Sequence, residues 1–245
     1  MSLLAALTDL VLPLRCVGCG RPGAGFCPAC LPGADQLRTV RSRGVPVHAA
    51  TVYDGAVRAA LIAYKERGRS DLRRPLGELL ARAVGDAVCR AGLEAGSRVL
   101  LVPVPSSAAA RGARGGDPLA RLVARAGAEQ GLRPVRGALR LVRSVRDSAH
   151  LGVAEREANL EGALRARPGP PGAVAVLVDD IVTSGTTLRE AERALRAAGW
   201  PVAAAAVVAA TPRRDPGSAG HGSRRARGSP ARPIGSAQRS GLAWG

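Results

Sequence analysis

Val176-Leu-Val-Asp-Asp-Ile-Val-Thr-Ser-Gly-Thr-Thr187 is the stretch on which the fold turns. The fully apolar run from Val174 to Val178 has the character of a strand covered on both faces. Two acids, Asp179 and Asp180, follow it, and then a short loop sets the hydroxyls of Thr183, Ser184, Thr186 and Thr187 around Gly185. Leu188, Ala191, Leu195 and Ala198 recur at helical spacing, and Gly199 ends that helix. A helix N-terminus presents free N–H groups and the positive end of its dipole, so a loop of this kind cradles an anion. Gly185 lets the backbone approach closely, and the hydroxyls add donors. The two carboxylates can accept hydrogen bonds from a vicinal diol. Thr183, Ser184, Gly185, Thr186 and Thr187 are therefore expected to hold a phosphate, and Asp179 and Asp180 the hydroxyls of a ribose. Capping the helix would need only one such side chain. Neither the GxxxxGK[ST] phosphate loop nor the GxGxxG dinucleotide fingerprint is present.

Working outward, Val99–Val104 and Val202–Ala209 are further short apolar strands, Val47–Tyr53 is another, and Val135–Val142 is a weaker candidate. Leu72, Leu76, Leu79, Leu80, Ala83, Val84, Ala87 and Val88 place an amphipathic helix over 72–91, and Leu119–Ala128 forms a second helix. Strands alternating with helices predict an α/β fold whose parallel sheet is flanked by helices. Ligands bind beyond the carboxyl ends of such strands, where the quoted loop lies. Four segments are expected: a cysteine-bearing module at 1–33, a polar connector at 34–46, the α/β domain at 47–210, and a tail at 211–245. The tail carries seven arginines against one acid and shows no periodicity, so disorder is expected there.

Cys16-Val-Gly-Cys19 and Cys27-Pro-Ala-Cys30 form two CxxC pairs separated by seven residues. Two such knuckles supply four thiolates for a tetrahedral Zn²⁺ site, which would be closed and structural. Two disulfides or a redox pair are the alternatives. A segment this short cannot bury a core of its own, and a metal would supply its folding energy. The fifth cysteine, Cys89, falls within the 72–91 helix and suits a small core position.

The formal net charge is +17, carried almost entirely by arginine, with Lys65 the sole lysine. Arginine pairs bidentately with phosphate, so phosphorylated ligands or nucleic acid are natural partners. Only Phe26, Tyr53, Tyr64, Trp200 and Trp244 are aromatic, too few for a stacking platform for single strands. No run of 18 apolar residues occurs, so no membrane insertion is expected. The apolar lead Leu3–Leu14 lacks a basic flank and contains Asp9, which argues against a signal peptide and for a cytoplasmic location.

The strand, paired acids and Thr/Ser/Gly loop resemble the 5-phosphoribosyl 1-pyrophosphate (PRPP) motif of type I phosphoribosyltransferases. With the four-cysteine zinc ribbon, the chain resembles the ComF family of competence-associated phosphoribosyltransferase-like proteins. Tyr64-Lys65-Glu66-Arg67-Gly68-Arg69, Pro103-Val104-Pro105, Arg114-Gly115-Gly116-Asp117 and Arg156-Glu157-Ala158-Asn159 add to the likeness, which spans about residues 10–210. The resemblance implies PRPP as ligand, with Mg²⁺, and places Lys65, Ser106, Ser107, Arg111 and Arg114 near its pyrophosphate. Where many relatives carry His or Arg soon after the Pro-Val-Pro, this chain reads Ser106-Ser107-Ala108-Ala109-Ala110. The resemblance implies phosphoribosyl transfer to an acceptor that the sequence does not name. Its alternative implication is a non-catalytic module acting in DNA uptake through single-stranded DNA or a helicase partner.

Overall fold

The computed structural model describes residues 14–40, 43–93, 96–106, 112, 116–143 and 159–212. Within them, eight strands and four α-helices follow one another. In chain order they are β1 (Arg38–Val40), β2 (Val47–Val52), α1 (Gly55–Glu66), α2 (Arg73–Arg90), β3 (Arg98–Pro103), α3 (Pro118–Gln130), β4 (Arg133–Pro134), β5 (Leu139–Leu141), β6 (Leu164–Ala166), β7 (Ala173–Val182), α4 (Thr186–Ala197) and β8 (Val202–Ala210). Six strands form one sheet in the order β1-β2-β8-β7-β3-β4, and β5 and β6 form a separate antiparallel pair. All neighbours in the large sheet run parallel except β1, which lies antiparallel on β2. This is the expected α/β architecture.

The two faces of the sheet follow from the period-two alternation of its strands. Val176 and Val178 of β7, with Val99 and Leu101 of β3, face α1, α2 and α3 through side chains such as Leu61, Leu76, Leu80 and Leu122. Ala175 and Leu177, with Leu100 and Val102, face the other way onto Leu188, Ala191 and Leu195 of α4 and onto Leu139 and Leu164 of the small sheet. The core is built from Ala, Val and Leu, with Trp200 sealing the second layer by donating from Nε1 to the Arg167 carbonyl at 2.8 Å. His48 on β2 is buried and bonds Asp86 of α2 at 2.7 Å, tying the sheet to the helix.

Several boundaries differ from the sequence reading. The 34–46 stretch contributes a short 3-10 turn, Ala34–Gln36, and the edge strand β1. The stretch Val135–Val142 is not one strand. It turns at Arg136–Ala138, with Gly137 at φ 69°, and only Leu139–Leu141 is extended. Helix α1 was not anticipated, although Val57, Ala60, Leu61 and Tyr64 recur at helical spacing and are buried. Cys89, expected at a core position, lies on the exposed face of α2. The tail beyond Pro212 lies outside the described residues.

Candidate functional site

Strand β7 is longer than its apolar run. It continues through Asp179 and Asp180 to Val182, held there by β8 in the register Asp179↔Val207, Ile181↔Ala209 and Val182↔Ala210. Its other neighbour, β3, stops at Pro103↔Val178, with one further bond from the Val104 N–H to the Val178 carbonyl at 2.9 Å. The paired acids thus project past the end of β3 at the carboxyl edge of the sheet. Loop 183–185 follows, and Gly185 at φ 77° turns the chain into α4 in the left-handed region that favours glycine.

The loop is tied together from within. Ser184 Oγ and Thr186 Oγ1 lie 2.9 Å apart, the Thr186 N–H points at Ser184 Oγ at 3.4 Å, and the Arg189 guanidinium donates to Thr186 Oγ1 at 3.2 Å. Thr183 and Ser184 are exposed, Thr187 is half-buried, and Gly185 and Thr186 are buried. The Thr183 and Ser184 side chains are therefore open to solvent, while Thr186 is tucked in beneath Arg189.

Both acids are half-buried. The Asp179 carboxyl accepts the Asp180 N–H at 2.8 Å. Burial and then the neighbouring Asp180 charge push Asp179 up to about 8, against the weaker pull of that N–H and of Lys65. Lys65, at the last turn of α1, reaches across and forms an ion pair with Asp180 at 2.5 Å. The sequence placed Lys65 near pyrophosphate; the structure brings it to the acid pair. Ser106 follows Pro103-Val104-Pro105 at the end of β3 and lines a cleft of about 440 Å³ with Arg136 and Arg140, two arginines that no motif singled out. Ser107, Arg111 and Arg114 lie outside the described residues, as does Arg156. Arg189, which the motif reading did not select, sits one helical turn into α4 and bonds the Thr186 hydroxyl.

The four cysteines form a second cluster. Cys16, Cys19, Cys27 and Cys30 place their sulfur atoms within 4.8 Å of one another, with Cys19 and Cys27 at 3.6 Å. A tetrahedral Zn²⁺ with Zn–S near 2.3 Å has sulfur–sulfur edges of about 3.8 Å, so this donor set fits such an ion. Burial pushes the Cys16 thiol up, but the N–H groups of Cys27, Cys19 and Gly18 outweigh it and lower the thiol to about 6. Cys30 is pushed up to about 12, first by its bond to the Cys27 thiol. One sulfur is thus primed as a thiolate while Cys30 holds a proton that a metal would displace. The segment is not free-standing: Cys16 and Phe26 are buried in the same cluster as Val57, Leu61 and Leu72.

The sequence matches the phosphoribosyl transferase domain family over residues 96–220, just over half of the 245 residues. That span contains β3, α3, both acids and the whole hydroxyl loop; the cysteine cluster and Lys65 precede it. No curated protein matches the chain.

Proposed function

Because the chain belongs to the phosphoribosyl transferase domain family, we propose that it binds the phosphoribosyl group of PRPP and transfers it to an acceptor. The observation that carries this reading is the continuity of β7. One unbroken strand delivers Asp179 and Asp180, and the next five residues to Thr187 complete a hydroxyl-lined turn at the start of α4. Loop residues Thr183, Ser184, Gly185, Thr186 and Thr187 would hold the 5-phosphate, using free N–H groups and hydroxyls. Asp179 and Asp180 would accept the ribose hydroxyls. With both ends of the sugar fixed, C1 is presented to an incoming nucleophile. The bond from C1 to the pyrophosphate oxygen breaks, pyrophosphate leaves with its electron pair, and the acceptor's lone pair forms the new bond to C1. Positioning and charge stabilisation supply the rate in such a reaction. The all-oxygen donor set of ligand and acids suits Mg²⁺, which would neutralise pyrophosphate charge when bound. Ser106, with Ser107, Arg111, Arg114 and Lys65, is the proposed pyrophosphate side.

The cysteine cluster packed beside this domain supports the narrower ComF-type reading, with Zn²⁺ as its structural ion. That reading includes a non-catalytic role in DNA uptake, for which the +17 charge is the supporting feature.

Titration calorimetry with Mg²⁺-PRPP tests the site. Wild-type protein should bind it, and the double variant Asp179→Ala/Asp180→Ala should not. A double variant that binds normally refutes the ribose assignment. Pyrophosphate release with candidate nucleophiles then separates transfer from binding alone.

A further inference from the structure

The phosphate loop itself, 183–187, contains hydroxyls and a glycine but no cation. The nearest positive side chain in sequence is Arg189, at the fourth position of α4. A helical side chain leaves its Cα tilted toward the helix N-terminus, so a long residue at this position naturally reaches back over the first turn. Arg189 does so. Its Nη2 donates to Thr186 Oγ1 at 3.2 Å, and Thr186 Oγ1 in turn lies 2.9 Å from Ser184 Oγ. The result is a chain of three polar groups, from guanidinium to buried hydroxyl to exposed hydroxyl.

Two further features bear on what this arrangement is for. The first turn of α4 contains no acidic residue. A guanidinium folded over the positive end of a helix dipole is unfavourable by itself and becomes favourable when an anion occupies that end. The stem is also positioned independently of the head. Arg189 Cγ runs close to Gly44, where an ideal Cβ would lie 3.5 Å from it, and the next turn of α4 bonds the adjacent Val45 N–H through Glu192 at 3.0 Å. Arg189 has a further partner in the ligand-free chain, and its five donors allow it to keep that partner while engaging another acceptor.

We propose that Arg189 is a phosphate-binding residue of this site, one that presets the Thr186 hydroxyl and contributes the charge that loop 183–187 lacks. The inference rests on the phosphate-loop reading above and adds to it a charge-assisted, fork-shaped contact, which is stronger than a neutral hydrogen bond. Arg189 fixes Thr186 Oγ1 as an acceptor, and Thr186 Oγ1 is in turn paired with the exposed Ser184 hydroxyl, so the charge of the guanidinium is relayed toward the solvent side of the loop.

The experiment compares wild type with Arg189→Met, which keeps the packed stem and removes the head, and Arg189→Lys, which restores charge without the fork. Ribose 5-phosphate is the probe, with phosphate-free ribose as the control. A hydrogen bond to a charged group is worth about tenfold or more in affinity. Arg189→Met should therefore weaken ribose 5-phosphate about tenfold and leave ribose unchanged, while Arg189→Lys recovers part of the loss. Thermal melting of the variants guards against a merely structural effect, since a misfolded protein would lose both sugars together. Wild-type affinity retained in Arg189→Met overturns this inference and leaves the site reading standing. A wild-type protein without affinity for ribose 5-phosphate overturns the site reading and this inference with it.

Discussion

Ligand binding should release a proton from Asp179. In the ligand-free chain, burial and the Asp180 charge hold this carboxyl at about 8, so at pH 7 it is mostly a neutral acid. A ribose diol donates its hydrogen bonds best to a carboxylate, and bound Mg²⁺ would add positive charge nearby. Both favour the ionised form, so the complex should bind with Asp179 deprotonated. By linkage, the uptake of ligand then releases a large part of one proton per site at pH 7, a number that shrinks as pH rises past about 8. Calorimetry repeated in buffers of different ionisation enthalpy reads that number directly, and Asp179→Asn supplies the baseline for protons lost by the ligand itself. The two neighbours should move the effect in opposite directions. Asp180→Asn removes a like charge and lowers the Asp179 midpoint, whereas Lys65→Met removes an opposite charge and raises it, each by about one to three units. The same proton sets a stability slope. The folded chain keeps it where an unfolded aspartate with its ordinary value of 3.8 has lost it. This residue's contribution to stability therefore falls as pH rises from about 4 to about 8. Proton release that is equal in wild type and Asp179→Asn, or absent at pH 7, would refute the reasoning.

The cysteine cluster should copurify with one zinc per chain by elemental analysis. Stripping it should lower the melting temperature, because Cys16 and Phe26 are part of the main core; an unchanged melt after complete removal contradicts this. Glu190 is buried, accepts a forked pair from Arg193 at 2.7 and 2.8 Å, and takes the Leu164 N–H at 3.0 Å. Glu190→Ala leaves that N–H without its acceptor and should cost about 1–3 kcal/mol in denaturant unfolding. Burial pushes the Glu190 carboxyl up, but Arg193 and the Leu164 and Gly162 N–H groups outweigh it, so its net shift is downward. Its contribution to stability is therefore present above the ordinary glutamate value and is lost as pH falls through the lowered one, a loss that Glu190→Gln should remove from the acid limb of a pH–stability profile. Gly127→Ala would bring a Cβ to 2.6 Å from the Leu132 carbonyl oxygen where α3 turns toward β4, and should destabilise by about 1–3 kcal/mol.

The central strands β3, β7 and β8 were legible because they are buried on both faces and read as Val/Leu/Ala runs, whereas the edge strands β1 (Arg-Thr-Val) and β4 (Arg-Pro) carry no such signal. The loop was legible because Asp179-Asp180 and the Thr/Ser/Gly cluster concentrate more hydrogen-bonding groups than a cap requires. What the sequence hid depends on packing across the chain. Helix α1 is the exception: Val57, Ala60, Leu61 and Tyr64 recur at helical spacing and are buried, a stripe open to reading in the sequence. The strand continuing through two acids was hidden by its own composition. Charged residues argue against strand, yet pairing with β8 up to Ala210 carries β7 past them. The Lys65–Asp180 pair joins residues 115 positions apart, and no local pattern announces such a meeting.

That pair also explains why a segment outside the family match belongs with the site. Helix α1 is held near both ends by the cysteine-bearing segment. At its start, Gly18 sits so close that a Cβ there would lie 2.7 Å from Ala56 Cβ. Just past its end, Arg69 donates to the Arg15 carbonyl at 3.3 Å and is itself fixed by Asp71 at 2.7 and 2.8 Å. Between these grips the helix runs from Ala56 to Lys65, about 14 Å at the usual rise per residue. A lysine on a free helix end would spread its charge over many rotamers, and side-chain entropy would oppose any single ion pair. Anchoring the helix does not remove that entropy, but it fixes the point from which the side chain starts. The cysteine knuckles thereby bear on where α1 lies, and α1 supplies the lysine that pairs with Asp180.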